Sequence, residues 1–411
     1  MPQQAPKSEQ IVEIRGLGHA GDGVADDGVF VPYTVPGDIV RIDKDGKRAR
    51  LLEVIKPGPA RNSPPCSHFS RCGGCALQHV ERAAYLQWKR DLVVTALRQR
   101  GFGDTRVDEI HAVPPGTRRR ANLKAKRIGE NVALGFYEAQ SRVLVDLKEC
   151  PVLLPELADL MRPLRKQLAN MLQPNETVEL LVTSTDTGID LDLKLKRART
   201  ADLLMALSVL AAALNLARLS WNGDDVAVAA KPSMRIGRFT VALPPDAFLQ
   251  PTREGERFLQ ETVTASAGKA RRIADLFSGC GTFALALADA HVVHAVDSVA
   301  AQVDALASAA KRGQGKVTSE VRDLFRRPLL PAELERFDAV VLDPPRPGAA
   351  EQVKALAQSK VPQVLYLSCN AASFARDART LAEGGYCLLR VRPLDQFIWS
   401  PHVELFAEFG R

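Results

Sequence analysis

No stretch of this sequence approaches the roughly 18 consecutive apolar residues that a membrane span requires. It opens on the polar MPQQAPKSEQ, not on a charged-then-apolar leader. A membrane partner is thus excluded and the cytoplasm expected. Cysteine is sparse, seven in 411 residues, and an odd number without a secretion signal argues against a disulfide framework. Reduced thiols remain as ligands, nucleophiles or core. What is present is ordinary for a globular chain of two or three domains, with 46% hydrophobic and 25% charged residues. The net charge of +7 suits a polyanionic partner but also occurs in enzymes without one.

From Ile11 to Val54 apolar residues alternate between glycines at turn spacing, which predicts a five-stranded barrel. Such barrels often bind oligonucleotides, and a purely structural barrel fits equally. The Pro-rich PGPARNSPP then reads as a linker into CSHFSRCGGCALQH. Cys66, Cys72 and Cys75 would place three thiolates around one small site, with Gly73 and Gly74 turning them inward. A fourth ligand is needed, and Cys150, followed by Pro151, is the candidate. A four-iron cluster is favoured over zinc, because the second Cys-x2-Cys knuckle of a zinc ribbon is missing.

RRRANLKAKR, residues 118–127, alternates basic with small or apolar residues and on a strand would form a stripe suited to phosphates, or a solvated edge. Residues 151–241 mix helical and strand-like patterns, predicting an α+β domain without identifiable chemistry. In the last third, RRIADLFSGCGTFALALA places a strand, a glycine-rich turn and a helix before VVHAVDS, whose Asp297 could accept ribose hydroxyls. GCGTFA lacks the third glycine of a dinucleotide fingerprint, which favours S-adenosylmethionine over NAD. FDAVVLDPPRPGA and VPQVLYLSCN end two further strands on the same rim. Arg346 stands where amine-directed methyltransferases carry an aromatic residue, and Cys369 suggests a covalent nucleophile, a buried structural thiol being the alternative.

Together, the four cysteines, DLFSGCGTF, LDPPRPGA, LSCN and the terminal HVE resemble the RNA uridine-5-methyltransferase family, most closely its ribosomal-RNA branch. The resemblance implies an α/β protein: a Rossmann-like class I methyltransferase domain over 246–411, a TRAM/OB-type barrel over 1–57, and between them a central α+β domain (58–245) carrying the iron–sulfur cluster and the basic strand. It assigns Cys369 to attack uracil carbon 6 and Glu404 to remove the carbon 5 proton. Gln250, Phe277, Thr282, Asp297, Asp323 and Asp343 are its cofactor contacts, Asp343 alternatively meeting uracil, and Cys66, Cys72, Cys75 and Cys150 its cluster ligands. Arg346 is the candidate to activate the thiol or stabilise the enolate oxygen.

Thr282 and Thr252 replace usual asparagines, Ala371 replaces a proline, and Phe397, Ile398, Trp399 and Ser400 replace Phe-Pro-His-Thr. These departures bear on target choice. The expected partner is RNA, ribosomal before transfer, with the target base flipped out of its stack and no stable protein partner. Other readings are a non-catalytic RNA-binding or ribosome-assembly protein and a nucleotide-dependent iron–sulfur oxidoreductase.

Overall fold

The computed structural model describes residues 8–411, so the first seven residues of the block read as 1–57 lie outside it. Strands β1 (Ser8–Leu17), β2 (Gly23–Ala25), β3 (Phe30–Val31), β4 (Ile39–Asp45) and β5 (Arg48–Lys56) close the expected barrel in the order β1-β2-β3-β5-β4. Alternation turns Ile14, Val31, Val40 and Ile42 into its core. A Cβ on Gly23 would lie 2.0 Å from Thr34 Oγ1, so only glycine fits there. Buried Asp38 accepts from the Gly58 amide (2.8 Å) and Arg61 Nε (2.9 Å), tying the barrel to the linker.

Helix α1 (Arg82–Arg98) and β6 (His111–Ala112) follow. They fall within the sequence block 58–245, but Val93 and Leu97 of α1 enter the core of the C-terminal sheet. β6 pairs in parallel with that sheet's edge. The chain then forms β7 (Arg120–Ile128), β8 (Asn131–Tyr137), β9 (Leu144–Asp146), α2 (Pro155–Met171), β10 (Thr177–Thr185), β11 (Gly188–Lys194), α3 (Ala201–Ala213), β12 (Arg218–Trp221) and β13 (Asp224–Val228). These strands make a seven-stranded sheet, ordered β13-β12-β11-β10-β7-β8-β9. One face packs on the apolar stripes of α2 and α3 through Leu123, Leu180, Leu191, Leu164 and Leu207.

The basic stretch is β7, paired on both sides by β8 and β10, so it is an interior strand and not a solvated edge. Ala121, Leu123 and Ala125 point inward, and Asn122 and Lys124 point to the other face. Arg119, just before β7, leaves this stripe. It is fully buried, donates to the Gln250 carbonyl (2.9 Å) and pairs with Glu256 (2.5 Å), bolting the central sheet to the C-terminal part.

A hairpin, β14 (Ser233–Ile236) and β15 (Phe239–Ala242), leads into the last unit. It contains α4 (Arg253–Ala267), β16 (Arg272–Leu276), α5 (Ala284–Leu287), β17 (Val292–Asp297), α6 (Ala300–Arg312), β18 (Val317–Val321), α7 (Pro331–Leu334), β19 (Ala339–Leu342), α8 (Ala350–Gln358), β20 (Gln363–Ser368), α9 (Ala371–Glu383), β21 (Cys387–Asp395) and β22 (Glu404–Gly410). The eight-stranded sheet runs β18-β17-β16-β19-β20-β22-β21-β6. Its first five strands are parallel, and β22 inserts antiparallel between β20 and β21. Strand order reverses between β16 and β19, where ligands bind at the carboxyl rim of open α/β sheets. The near-continuous apolar strands AVVL and VLYL are buried on both faces, as a parallel sheet requires. Among the described residues no helix is long and apolar enough to cross a membrane.

Candidate active site

At the rim a cavity of about 660 Å³ opens, and all eight residues expected for catalysis and cofactor contact line it: Gln250, Phe277, Thr282, Asp297, Asp323, Asp343, Cys369 and Glu404. Its opposite wall is the outer face of the central sheet, where Arg118, Arg120 and Asn122 of the basic stretch are joined by Lys194, which the sequence did not single out. Arg120 (3.3 Å) and Lys194 (2.9 Å) converge on Asp246. The ring of Phe248 stands 53% exposed beside them.

The glycine-rich half begins where β16 ends. Phe277 (φ 64°), Gly279 (φ 53°) and Gly281 (φ 93°) turn the chain through the left-handed region, and a Cβ on Gly281 would lie 2.8 Å from Leu306 on α6. Asp297, ending β17, accepts the amides of Gly279 and Val299, each at 2.9 Å, which fixes its carboxylate at the cavity wall. Asp323 accepts the Phe325 amide (3.0 Å) and so places the Phe325 ring 5.4 Å from that of Phe277. Phe325 had no sequence signal beyond its aromatic type. Thr282 contributes its carbonyl to Gln260 Nε2 (3.0 Å), and Thr252 caps α4 by accepting from Gly255 (3.0 Å).

The other half sits on β19, β20 and β22. Ser368 pairs with Leu405, so the next residues along this register, Cys369 and Glu404, face each other across adjacent antiparallel strands. Burial pushes the Cys369 thiol up to about 12, the Glu404 and Asp343 carboxylates add to the rise, and Arg346 opposes it. Glu404 is driven well above the usual carboxylate range by burial and then by Asp343, against the pull of its hydrogen bond from Gln396. Asp343 is raised to about 7 by burial, with the Gln250 amide opposing. Gln250 Nε2 donates to Asp343 Oδ2 at 3.3 Å. Asn370 caps α9 through the Ala372 amide (3.0 Å) and donates to the Arg346 carbonyl (3.3 Å), locking the DPPR loop to the turn that carries Cys369. The Arg346 guanidinium reaches His402 Nδ1 at 3.1 Å.

A strap of residues 396–403 joins β21 to β22, and its supports were not legible in the sequence. Buried Lys89 on α1 pairs with Asp395 and donates to the Phe397 carbonyl (2.9 Å). Tyr85 donates to Asp395 (2.8 Å) and accepts the Trp399 amide (2.8 Å). Trp399 (φ 57°) in turn accepts the amides of Ala76 (2.8 Å) and Leu77 (3.1 Å), immediately after Cys75. The departures at 397–400 therefore lie between the cysteine segment and Glu404. Ala371 is the first residue of α9.

Cys66, Cys72, Cys75 and Cys150 lie within reach of one another's charge. Burial raises the Cys75 thiol to about 12, and Cys150, Cys72 and Cys66 add to it against a hydrogen bond from Gln78. Cys150 is raised by burial and by Cys66, with Arg118 among the opposing groups. A Cβ on Gly73 would sit 2.8 Å from the Tyr137 carbonyl, so glycine is what lets this loop approach β8. Among the described residues no three His, Cys, Asp or Glu side chains are arranged to hold a metal ion.

A parallel sheet with this reversal point, and a glycine turn that offers no third glycine to a pyrophosphate, defines a class I methyltransferase fold. The same fold occurs in the Pyrococcus abyssi tRNA (uracil-54, C5)-methyltransferase, solved with S-adenosyl-L-homocysteine. That structure superposes with a TM-score of 0.75 at 22% identity, covering 97% of this chain and all of the other. A relative named as a uracil-5-methyltransferase, 34% identical across 95% of this chain, shows that the chain belongs to the RNA (uracil-5-)-methyltransferase family and is an RNA methyltransferase. The family's sequence model, described as tRNA (Uracil-5-)-methyltransferase, matches residues 233–407. A 23S rRNA (uracil(1939)-C(5))-methyltransferase RlmD of Halomonas elongata is 34% identical over 426 residues, covering 95% of this chain and 87% of its own. An uncharacterized RNA methyltransferase of Brucella suis is 44% identical over 401 residues, 96% of each chain.

Proposed function

We propose that the protein forms 5-methyluridine in ribosomal RNA from S-adenosylmethionine, through a transient bond between Cys369 and uracil carbon 6. The observation that best supports this reading is the facing placement of Cys369 and Glu404 in the cavity that also contains the glycine-rich turn. S-adenosylmethionine, when bound, supplies an electrophilic methyl group on a positively charged sulfur. Asp297 would hold its ribose, Asp323 with the rings of Phe277 and Phe325 its adenine, and Gln250, Thr282 and Asp343 the remainder. Removing the Asp297 carboxylate (Asp297→Ala) should weaken cofactor binding by about tenfold, the scale of a lost charge-assisted hydrogen bond, in a calorimetric titration.

Uracil carbon 5 is a weak nucleophile. The Cys369 thiolate would therefore add to carbon 6, and the displaced ring electrons, held as an enolate, would form the bond from carbon 5 to the methyl group while the methyl–sulfur bond breaks and its electron pair stays on the cofactor's sulfur, leaving that sulfur neutral. Glu404 then takes the carbon 5 proton, and the electrons of that C–H bond restore the ring double bond as the carbon–sulfur bond breaks. Arg346 supports the thiolate or the enolate oxygen, and Asp343 accepts the ring N–H. Burial raises the thiol and both carboxyl groups, which favours their neutral forms, and a cation entering the cavity favours their charged forms.

The barrel and the wall of Arg118, Arg120 and Lys194 would hold the RNA around the flipped base, chiefly by phosphate contacts. The resemblance to the ribosomal branch and the relative acting on 23S rRNA favour ribosomal over transfer RNA. The test is a covalent trap with RNA containing 5-fluorouridine, in which fluorine blocks the final abstraction. A denaturation-stable methylated adduct supports the reading and its nucleotide identifies the target. No adduct with any RNA fraction, from protein that binds the cofactor, returns the chain to a non-catalytic RNA-binding role.

Cys66, Cys72, Cys75 and Cys150 would hold a four-iron cluster by the chemistry of the donor set, four half-buried thiols and no carboxylate, once their side chains turn onto one centre. Methyl transfer needs no electrons, so the group would serve as a staple for this loop and its RNA contacts. Protein prepared without oxygen should contain about four irons per chain and lose them in Cys72→Ala. An iron-free protein with full trapping activity would remove the assignment.

A further inference from the structure

Gln396 is 1% exposed and has no role in the chemistry described above. It begins the strap directly after β21. Its Nε2 donates to Gln250 Oε1 at 2.9 Å and to Glu404 Oε2 at 3.1 Å. Gln250 passes the chain on to Asp343. One amide thus spends both N–H groups on the two arms of the cavity, the base on β22 and the carboxyl after β19. Its oxygen is buried without a partner and points at α4, where a Cβ on Gly255 would lie only 2.4 Å away. Glycine is a poor choice inside a helix, and here its missing side chain is the room the amide occupies.

We propose that Gln396 is a positioning residue for the reaction. Its amide sets the Glu404 carboxylate and, through Gln250, the Asp343 carboxylate at a fixed relation across the bound uracil. The proposal rests on the reading of Glu404 as the base. The one N–H that reaches Glu404 favours its charged form against burial and Asp343, while the other holds the Gln250 amide oxygen. The titratable or charged groups around Glu404 are Asp343 and Arg346 from the loop after β19, Cys369 after β20, and His402 on the strap itself. Against the amide, α4 presents Gly255 and its cap Thr252, with Glu256 next along the helix neutralised by Arg119, and the Lys89–Asp395 pair stands directly before the strap. Gln396 is therefore the neutral donor that keeps the base ionisable. Its loss shifts the acid limb of proton abstraction to higher pH.

The experiment separates the step that needs the base from the steps that precede it. Full-length Gln396→Met, which keeps length and apolar volume, and Gly255→Ala, which keeps the amide but crowds it, are compared with wild type. Adduct formation on 5-fluorouridine RNA reads cysteine addition and methyl transfer, and multiple turnover on ordinary RNA also requires Glu404. In both variants turnover should fall at least tenfold more than trapping. Denaturation-stable adduct should also build up on ordinary RNA, and the acid limb of turnover should move upward. Equal losses in trapping and turnover, or unchanged turnover, would overturn the proposal. Should Gln396→Met fail to fold, Gly255→Ala alone carries the same two readouts. Absence of any adduct in wild type would instead strike the reading of Cys369 and leave Gln396 without a reaction to position.

Discussion

Cys369→Ala is expected to lower methylation by about 10⁴-fold or more, the scale on which removing a covalent nucleophile acts. It should erase the 5-fluorouridine adduct while leaving cofactor binding intact. The size follows from the chemistry: without a bond at carbon 6, carbon 5 has no enolate electrons to offer, and the cavity's other thiol, Cys280, is buried in the glycine-rich turn. Cys387, exposed on β21, supplies the control, and its alanine variant should trap normally. The pH dependence has a fixed sign. Because burial and two carboxylates raise the thiol toward 12, the reactive thiolate is the minor form at neutral pH. Its share grows up to tenfold per pH unit, and Glu404, also raised, ionises in the same direction. Trapping rates measured from pH 6 to 9 should therefore climb throughout. A rate that falls with pH in this range would mean that a protonated group does the work.

The second large effect is on stability. Lys89→Met should destabilise the fold by about 3–5 kcal/mol, because it leaves the Asp395 carboxylate buried without its cation. Lys89 is fully buried and Asp395 almost so. Burial pulls the Lys89 ammonium down to about 8, with Asp395 opposing, so desolvation outweighs attraction in this pair. For that reason the double variant Lys89→Met/Asp395→Leu should recover much of the loss, and with the single variant Asp395→Leu added, urea denaturation of the four proteins forms a complete cycle. A single variant within about 0.5 kcal/mol of wild type would show the pair to be solvated. Tyr85 hydrogen-bonds both Asp395 and Trp399, so the single variant should also loosen the strap.

What could be read from the sequence is local. Gly279, Gly281 and Asp297 announce themselves because a sharp turn and a strand end require particular residue types at short spacing. The barrel's alternation is similarly contained in a few dozen residues. Cys369, Glu404 and Gln250 were accessible by resemblance, since nothing in their immediate neighbours dictates that they meet. The rest depends on contacts distant in sequence. RRRANLKAKR looked uniform, yet Arg119 is a buried bolt to Glu256 while Arg118 and Arg120 line the cavity, a division set by what packs against β7. Lys194 and Asn122 belong to the cavity wall only because two sheets face each other. Lys89 lies more than 300 residues from Asp395, and no periodicity in α1 connects them.

The antiparallel β22 also decides which changes in chain length this enzyme can absorb. Side chains on a strand alternate between faces, so an insertion of one residue just inside β22 turns every later side chain to the opposite face. Leu405, Phe406 and Ala407, all buried, would exchange environments, and their pairing with β20 and β21 would slip together. An extra residue in the strap instead enters a loop whose ends are pinned by Lys89, Tyr85 and the amides after Cys75. Natural variation in length should therefore collect between Phe397 and His402 and be absent from Glu404 onward, where the spacing between Glu404 and Cys369 is counted in strand residues.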